Sequence, residues 1–139
     1  MRTFLTIAVI LLIGGLILWS TFSEQKVEKP ETIKVAVKNL DPAGFKRHSM
    51  KKPGIVVDVR TQEEYDEGHL AKADRHYDLL NGDFKAQLDS LDKDETYYLY
   101  CRSGNRSGQA AELMIENGFT DVYNIGGFQD LVDAGLEAE

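Results

Sequence analysis

The chain reads as an α/β protein, a small and mostly parallel sheet with helices on both faces, preceded by an N-terminal membrane anchor or signal segment. Three observations predict this. Strand-like runs alternate with helical patterns over residues 32–139, and repeated alternation of that kind builds a sheet covered on both faces. The run Ile55-Val56-Val57-Asp58-Val59 is β-branched and nearly continuous, as a central parallel strand buried on both faces requires. From Phe4 to Trp19 every residue except Thr6 is apolar or glycine.

In chain order, residues 1–23 form the hydrophobic anchor or signal segment. The run is slightly short for a full membrane span and slightly long for a signal-peptide core. The A-x-A cleavage pattern is absent, and Trp19 and Phe22 suit the far membrane interface. An uncleaved anchor over residues 4–22 is therefore the expectation. Arg2 before the run favours a cytoplasmic N-terminus, which places the rest on the exported, cell-envelope or periplasmic side. Residues 24–31 are a linker of mixed charge. Ile33 to Val37 alternates apolar and polar residues, as an edge strand does. Asp41-Pro42 supplies an N-cap and a first helical residue for a helix toward Met50. Lys52-Pro53-Gly54 turns the chain into the strand at 55–59. Thr61-Gln62-Glu63-Glu64 is a capping box, and Gly68 stops the helix it opens. A further helix covers Phe84 to Leu91, a strand Thr96 to Tyr100, and a helix Ser107 to Asn117 before Gly118. Val122 to Ile125 is the last strand, with a final helix from about Phe128.

Composition narrows the function. The 139 residues, 42% hydrophobic, suffice for one modest core. Net charge is −7, with 16 basic against 23 acidic residues; no basic face is visible, and nucleic acid is not an expected partner. Cys101 is the only cysteine. An exported protein with one cysteine has no internal disulfide, so its thiol is a candidate for reactivity. His48, His69 and His76 lack metal-ligand spacing and no second cysteine exists; no metal site and no cofactor are expected.

The chemistry concentrates in Cys101-Arg102-Ser103-Gly104-Asn105-Arg106-Ser107. An aromatic strand, Tyr97 to Tyr100, delivers the cysteine onto a polar loop that enters a helix at once. A helix N-terminus points unpaired N–H groups and partial positive charge at one spot, and two arginines flank it. Such a setting lowers a thiol's pKa and makes Cys101 a nucleophile. Gly104 permits a positive φ, and Asn105 tolerates the same region, so successive N–H groups converge as a nest. Arg102 and Arg106 are candidates for binding an oxyanion-bearing substrate. Ser103 and Ser107 are candidates to donate to the sulfur, Ser107 alternatively to cap the helix.

The loop resembles the active-site loop of rhodanese-like (thiosulfate sulfurtransferase) domains. Val57-Asp58-Val59-Arg60, Glu63-Glu64-Tyr65, Gly68-His69-Leu70, Gly126-Gly127-Phe128 and Ala134-Gly135 stand in the family's order. The resemblance spans residues 32 to 137. It implies a rhodanese-like domain over 32–139 in which Cys101 takes a sulfane sulfur as a persulfide from a small sulfur-containing anion such as thiosulfate. Cyanide or a thiol then accepts that sulfur. It also implies that Arg102 to Ser107 hold the substrate, that Asp58 and Arg60 support the loop, and that Gly68-His69-Leu70 is a structural turn. Related phosphatases and arsenate reductases use a cysteine–arginine loop one residue longer; the tighter loop here suits sulfur. A sulfur-relay or regulatory binding module with little turnover on free thiosulfate is the alternative. A thiol-redox sensor ranks below both, because no resolving cysteine is present. Two places depart from the family: Ala71-Lys72-Ala73-Asp74 replaces the usual Pro-Gly-Ala turn, and Leu131 stands where a tryptophan is common.

Overall fold

The aromatic run lies at the middle of the sheet. In the computed structural model, which describes residues 36–139, five strands take the order β1-β5-β4-β2-β3. They are β1 (Lys38–Asn39), β2 (Ile55–Asp58), β3 (Arg75–His76), β4 (Tyr97–Cys101) and β5 (Val122–Gly127). Every neighbouring pair is parallel. The anchor or signal segment, the linker and residues 33–35 of the expected edge strand lie outside the described residues. Among the described residues no helix is long and apolar enough to cross a membrane. Among the described residues the edge strand is Lys38–Asn39, placed by its pairing to Tyr123 and Asn124, and Ala36 and Val37 of the expected strand lie just before it.

Helices α1 (Pro42–Lys51), α2 (Gln62–Asp66), α3 (Asp83–Gln87) and α4 (Asn105–Glu116) make the crossovers, and α5 (Phe128–Asp133) follows the last strand. Helix α1 starts where its cap predicts: the Asp41 carboxylate accepts from Gly44 N at 2.7 Å, and Pro42 follows. Thr61 and Glu64 form the reciprocal capping box of α2. The expected helix at 84–91 is α3 followed by a tighter turn of 3₁₀ helix at Leu88–Ser90.

Strand alternation divides the core in two. Val57, Tyr97, Leu99 and Cys101 face Phe84 and Leu88 of the α3 segment and Ala110, Ala111 and Met114 of α4. Val56, Tyr98, Tyr100 and Ile125 face Phe45 of α1 and Leu131 of α5. Leu131 is fully buried there, so a leucine fills the position where a larger ring is common. Burial pushes the Tyr98 phenol up to about 12.

The pairing of β4 with β5 carries one irregularity. Leu99 lies opposite Asn124, whereas Tyr100 lies opposite Gly126, so Ile125 is an extra residue, a β-bulge. At the other edge, β3 pairs with Val57 and Asp58. The turn at 71–74 is tied back by Asp74, whose N–H donates to Val56 O and whose carboxylate accepts from Val56 N, each at 2.8 Å. Residues 69–71 also pair with 137–139 through an antiparallel bridge at Leu70 and Ala138.

Candidate active site

Cys101 closes β4, and the alternation that buries Tyr97 and Leu99 carries its thiol to the same face, beneath the start of α4. The residue is fully buried. Gly104 at φ 90° turns the chain into the helix and donates its N–H to Cys101 Sγ at 3.1 Å. Only glycine adopts that backbone without strain. The tightness continues on the other side. A methyl group on Gly127 would stand 2.7 Å from Arg102 O and 3.2 Å from Ser103 Cα. The Gly126-Gly127 pair is therefore the floor on which the cysteine loop rests.

Asn105 does not share the left-handed turn expected of it. It is the first residue of α4, since no non-glycine residue among those described has positive φ. Its side chain is exposed and accepts from Gln109 Nε2 at 2.7 Å. Ser107 is not the N-cap; Gly104 is. Ser107 sits in the first turn, fully buried, with Oγ 3.4 Å from Cys101 Sγ and 2.7 Å from Asn124 Oδ1. Burial alone pushes the Cys101 thiol up, but the Ser107 hydroxyl and the N–H groups of Ser107, Ser103 and Gly104 outweigh it. The net effect lowers its pKa, as hydrogen bonds to the charged form do.

The two arginines separate. Arg102 is exposed and has no ion pair among the described residues. Arg106 is forked onto Glu64, with Nη1 2.6 Å from Oε2 and Nη2 2.8 Å from Oε1. The Arg106 hydrogen bonds hold the Glu64 carboxyl down to about 2 against burial that raises it, and Thr61 N assists. One carboxylate thus caps α2 and fixes the first turn of α4.

Asp58 and Arg60 form a second, buried pair. Arg60 Nη2 lies 2.7 Å from Asp58 Oδ2 and 2.8 Å from Gly68 O, and its guanidinium lies 4.3 Å from the centre of the Phe128 ring. The pair links the end of β2, the turn at Gly68 and the start of α5. His69 stacks on Tyr65 at 3.8 Å and exchanges backbone hydrogen bonds with Glu139, a turn residue with no contact to the sulfur among its hydrogen bonds. A cleft of about 460 Å³ beside the loop is lined by Arg60, Glu64, Glu67, Arg102, Phe128 and Gln129.

Two contributors escaped the sequence reading. Asn124 joins the sulfur's surroundings through Ser107, and Glu64, legible as a cap and within the Glu63-Glu64-Tyr65 motif, was not legible as the partner of Arg106.

A family model for the rhodanese-like domain matches residues 41–134, and the chain belongs to that family. Among curated relatives, the thiosulfate sulfurtransferase PspE of Escherichia coli (strain K12) is 35% identical over 77 residues, covering 54% of this chain and 71% of that protein. The uncharacterized protein YqhL of Bacillus subtilis (strain 168) is 37% identical over 75 residues, or 53% of this chain, which spans only 57% of that relative's length. A crystal structure of a rhodanese-like domain protein from Staphylococcus aureus superposes with a TM-score of 0.60 at 32% identity, over 73% of this chain and 97% of that one.

Proposed function

We propose that the chain is a sulfurtransferase that carries a sulfane sulfur as a persulfide on Cys101. The observation that carries this reading is the convergence of the Ser103, Gly104 and Ser107 N–H groups and the Ser107 hydroxyl on one buried sulfur at a helix N-terminus. Those donors favour negative charge on sulfur, in the attacking thiolate and in the resulting persulfide alike. With thiosulfate, the Cys101 thiolate attacks the outer sulfur, the sulfur–sulfur bond of thiosulfate breaks, and sulfite leaves with the bonding electron pair. Cyanide or a thiolate then attacks the outer sulfur of the persulfide and releases Cys101 as thiolate; the product is thiocyanate or a new persulfide. Neither step moves a proton, so the absence of a histidine among the hydrogen-bond partners of Cys101 costs the mechanism nothing. Arg102, the loop arginine with no ion pair among the described residues, takes the sulfonate-like oxygens of the donor.

The relatives named as thiosulfate sulfurtransferases support the donor. The test is the intact mass of the reduced full chain after thiosulfate, beside Cys101→Ser. A gain of one sulfur, reversed by cyanide and absent from the variant, is expected. No gain would move the reading to a partner-specific sulfur relay or a binding module.

A further inference from the structure

Asn124 is a polar residue in the middle of a buried strand, and all four of its side-chain contacts are directional. Its Oδ1 accepts from Ser107 Oγ at 2.7 Å and from Gly126 N at 3.1 Å. Its Nδ2 donates to Gly104 O at 3.0 Å and to Asn39 Oδ1 at 3.0 Å. Gly126 N–H and Gly104 O fix which end of the amide points where, since the reversed amide would set donor against donor and acceptor against acceptor. The bulge after Asn124 brings Gly126 N–H back onto its own side chain.

The consequence lies in the Ser107 hydroxyl, which has one proton to give. Two acceptors claim it: Asn124 Oδ1 at 2.7 Å and Cys101 Sγ at 3.4 Å. We propose that Asn124 is a positioning residue that sets how much of the Ser107 hydroxyl proton reaches the Cys101 sulfur, and so how readily that sulfur holds negative charge. The role in sulfur transfer rests on the persulfide reading above; the competition for the proton does not. Charged groups on the surrounding elements are Arg102 in the loop, Arg106 on α4, Glu64 on α2, Asp78 after β3, Asp130 on α5, and Asp58 and Arg60 around the end of β2. None of these bonds to Asn124, so substitution there leaves them in place.

This assignment predicts opposite signs for two replacements at one position. Asn124→Ala removes the competing acceptor and frees the Ser107 proton for the thiolate. Gly104 O keeps its helical partner, Gly108 N at 3.1 Å, so the first turn of α4 retains a hydrogen bond. Asn124→Asp keeps the acceptor and strengthens it with charge, drawing the proton further from sulfur. The readout is the rate of iodoacetamide alkylation of the full chain against pH, whose midpoint reports the thiolate. Asn124→Ala is expected to lower the midpoint by about one unit, and Ser107→Ala to raise it by about one, the size of one hydrogen bond to a charged group. Asn124→Asp raises it, and Asn124→Ala adds nothing when Ser107 is already alanine.

A residue that merely braces the loop behaves differently: Asn124→Ala would loosen the Gly104 turn and raise the midpoint, and that result overturns the proposal, as does an unchanged midpoint. Should Asn124→Ala not fold, the pair Asn124→Asp and Ser107→Ala decides. Coupled shifts support the proposal and simply additive ones overturn it. Sulfur uptake by the unaltered chain from thiosulfate is scored separately. Its failure retires the sulfurtransferase reading and leaves the midpoints to judge Asn124.

Discussion

Arg102 and Arg106 stand four residues apart, yet their surroundings give them different work. Arg106 spends its fork on Glu64, whereas Arg102 faces solvent at the rim of the cleft. Arg102→Ala is therefore expected to raise the KM for thiosulfate about tenfold with kcat largely kept, the loss of a binding contact. Glu64→Gln preserves the capping box, because glutamine accepts there as well, but breaks the ion pair. It should cost about 1 kcal/mol in urea unfolding, the upper range for a partly exposed pair, and leave KM nearly unchanged. Equal rises in KM for Arg102→Ala and Glu64→Gln would show that the division is wrong. The cysteine and its polar loop were legible because a run so polar after an aromatic strand has no packing use. The Glu64 pairing was not legible, since it joins residues 42 apart. Asn124 was not either: between Tyr123 and Ile125, a polar residue in an alternating strand reads as the solvent-facing one.

At the scale of elements, the junction of β5 with α5 matters as much as the loop it supports. The bulge at Ile125 shifts the β5 register by one residue and sets Gly127, not Gly126, opposite Cys101. Gly127→Ala would drive a methyl group against Arg102 O and Ser103 Cα. We expect a cost of about 1–3 kcal/mol in thermal unfolding, as for overpacking elsewhere, and slower persulfide formation than Gly104→Ser causes by backbone strain alone. A Gly127→Ala protein with full activity and an unmoved melt would mean that the loop does not rest on that floor. The elements with chemical punctuation were readable in advance: Asp41-Pro42, the Thr61 capping box, Gly104 and Gly118. Strand β3 was not, because Arg75-His76 carries no apolar pattern and exists through its pairing with Val57 and Asp58. The start of α4 came two residues earlier than expected, because glycine rather than serine caps it.

For the whole domain, the two ends of the sheet are held by different means. The cysteine loop lies beyond the carboxyl end of β4. The opposite end is gathered by Asp121, whose carboxylate meets Lys38 beside β5, Lys52 after α1, Thr96 before β4 and the Tyr123 hydroxyl. Burial raises its pKa, but the hydrogen bonds from Lys52, Thr96, Lys38 and Tyr123 outweigh it and hold the carboxyl below its ordinary 3.8. Glu64 is held at about 2 against 4.5. Both folded pKa values are depressed, so the stability they contribute is complete above the ordinary values and lost as pH falls through the folded ones. Thermal midpoints should stay level from neutral pH to about 5 and drop steeply below about 4. Asp121→Asn should start lower and fall less steeply; a fall as steep as that of the unaltered chain would exclude Asp121 as an acid-sensitive tie.

The floor beneath the loop has a further consequence, one of timing. Gly126 and Gly127 follow Cys101 in the chain, so a ribosome makes the cysteine before it makes the floor on which the cysteine loop rests. In the unfolded chain the N–H groups of Ser103, Gly104 and Ser107 do not converge on the sulfur, and it behaves as an ordinary thiol that is mostly protonated at neutral pH. Stabilisation of the thiolate is thus expected to arrive with the folded loop and not before it. The alkylation rate at neutral pH should then report when the loop forms.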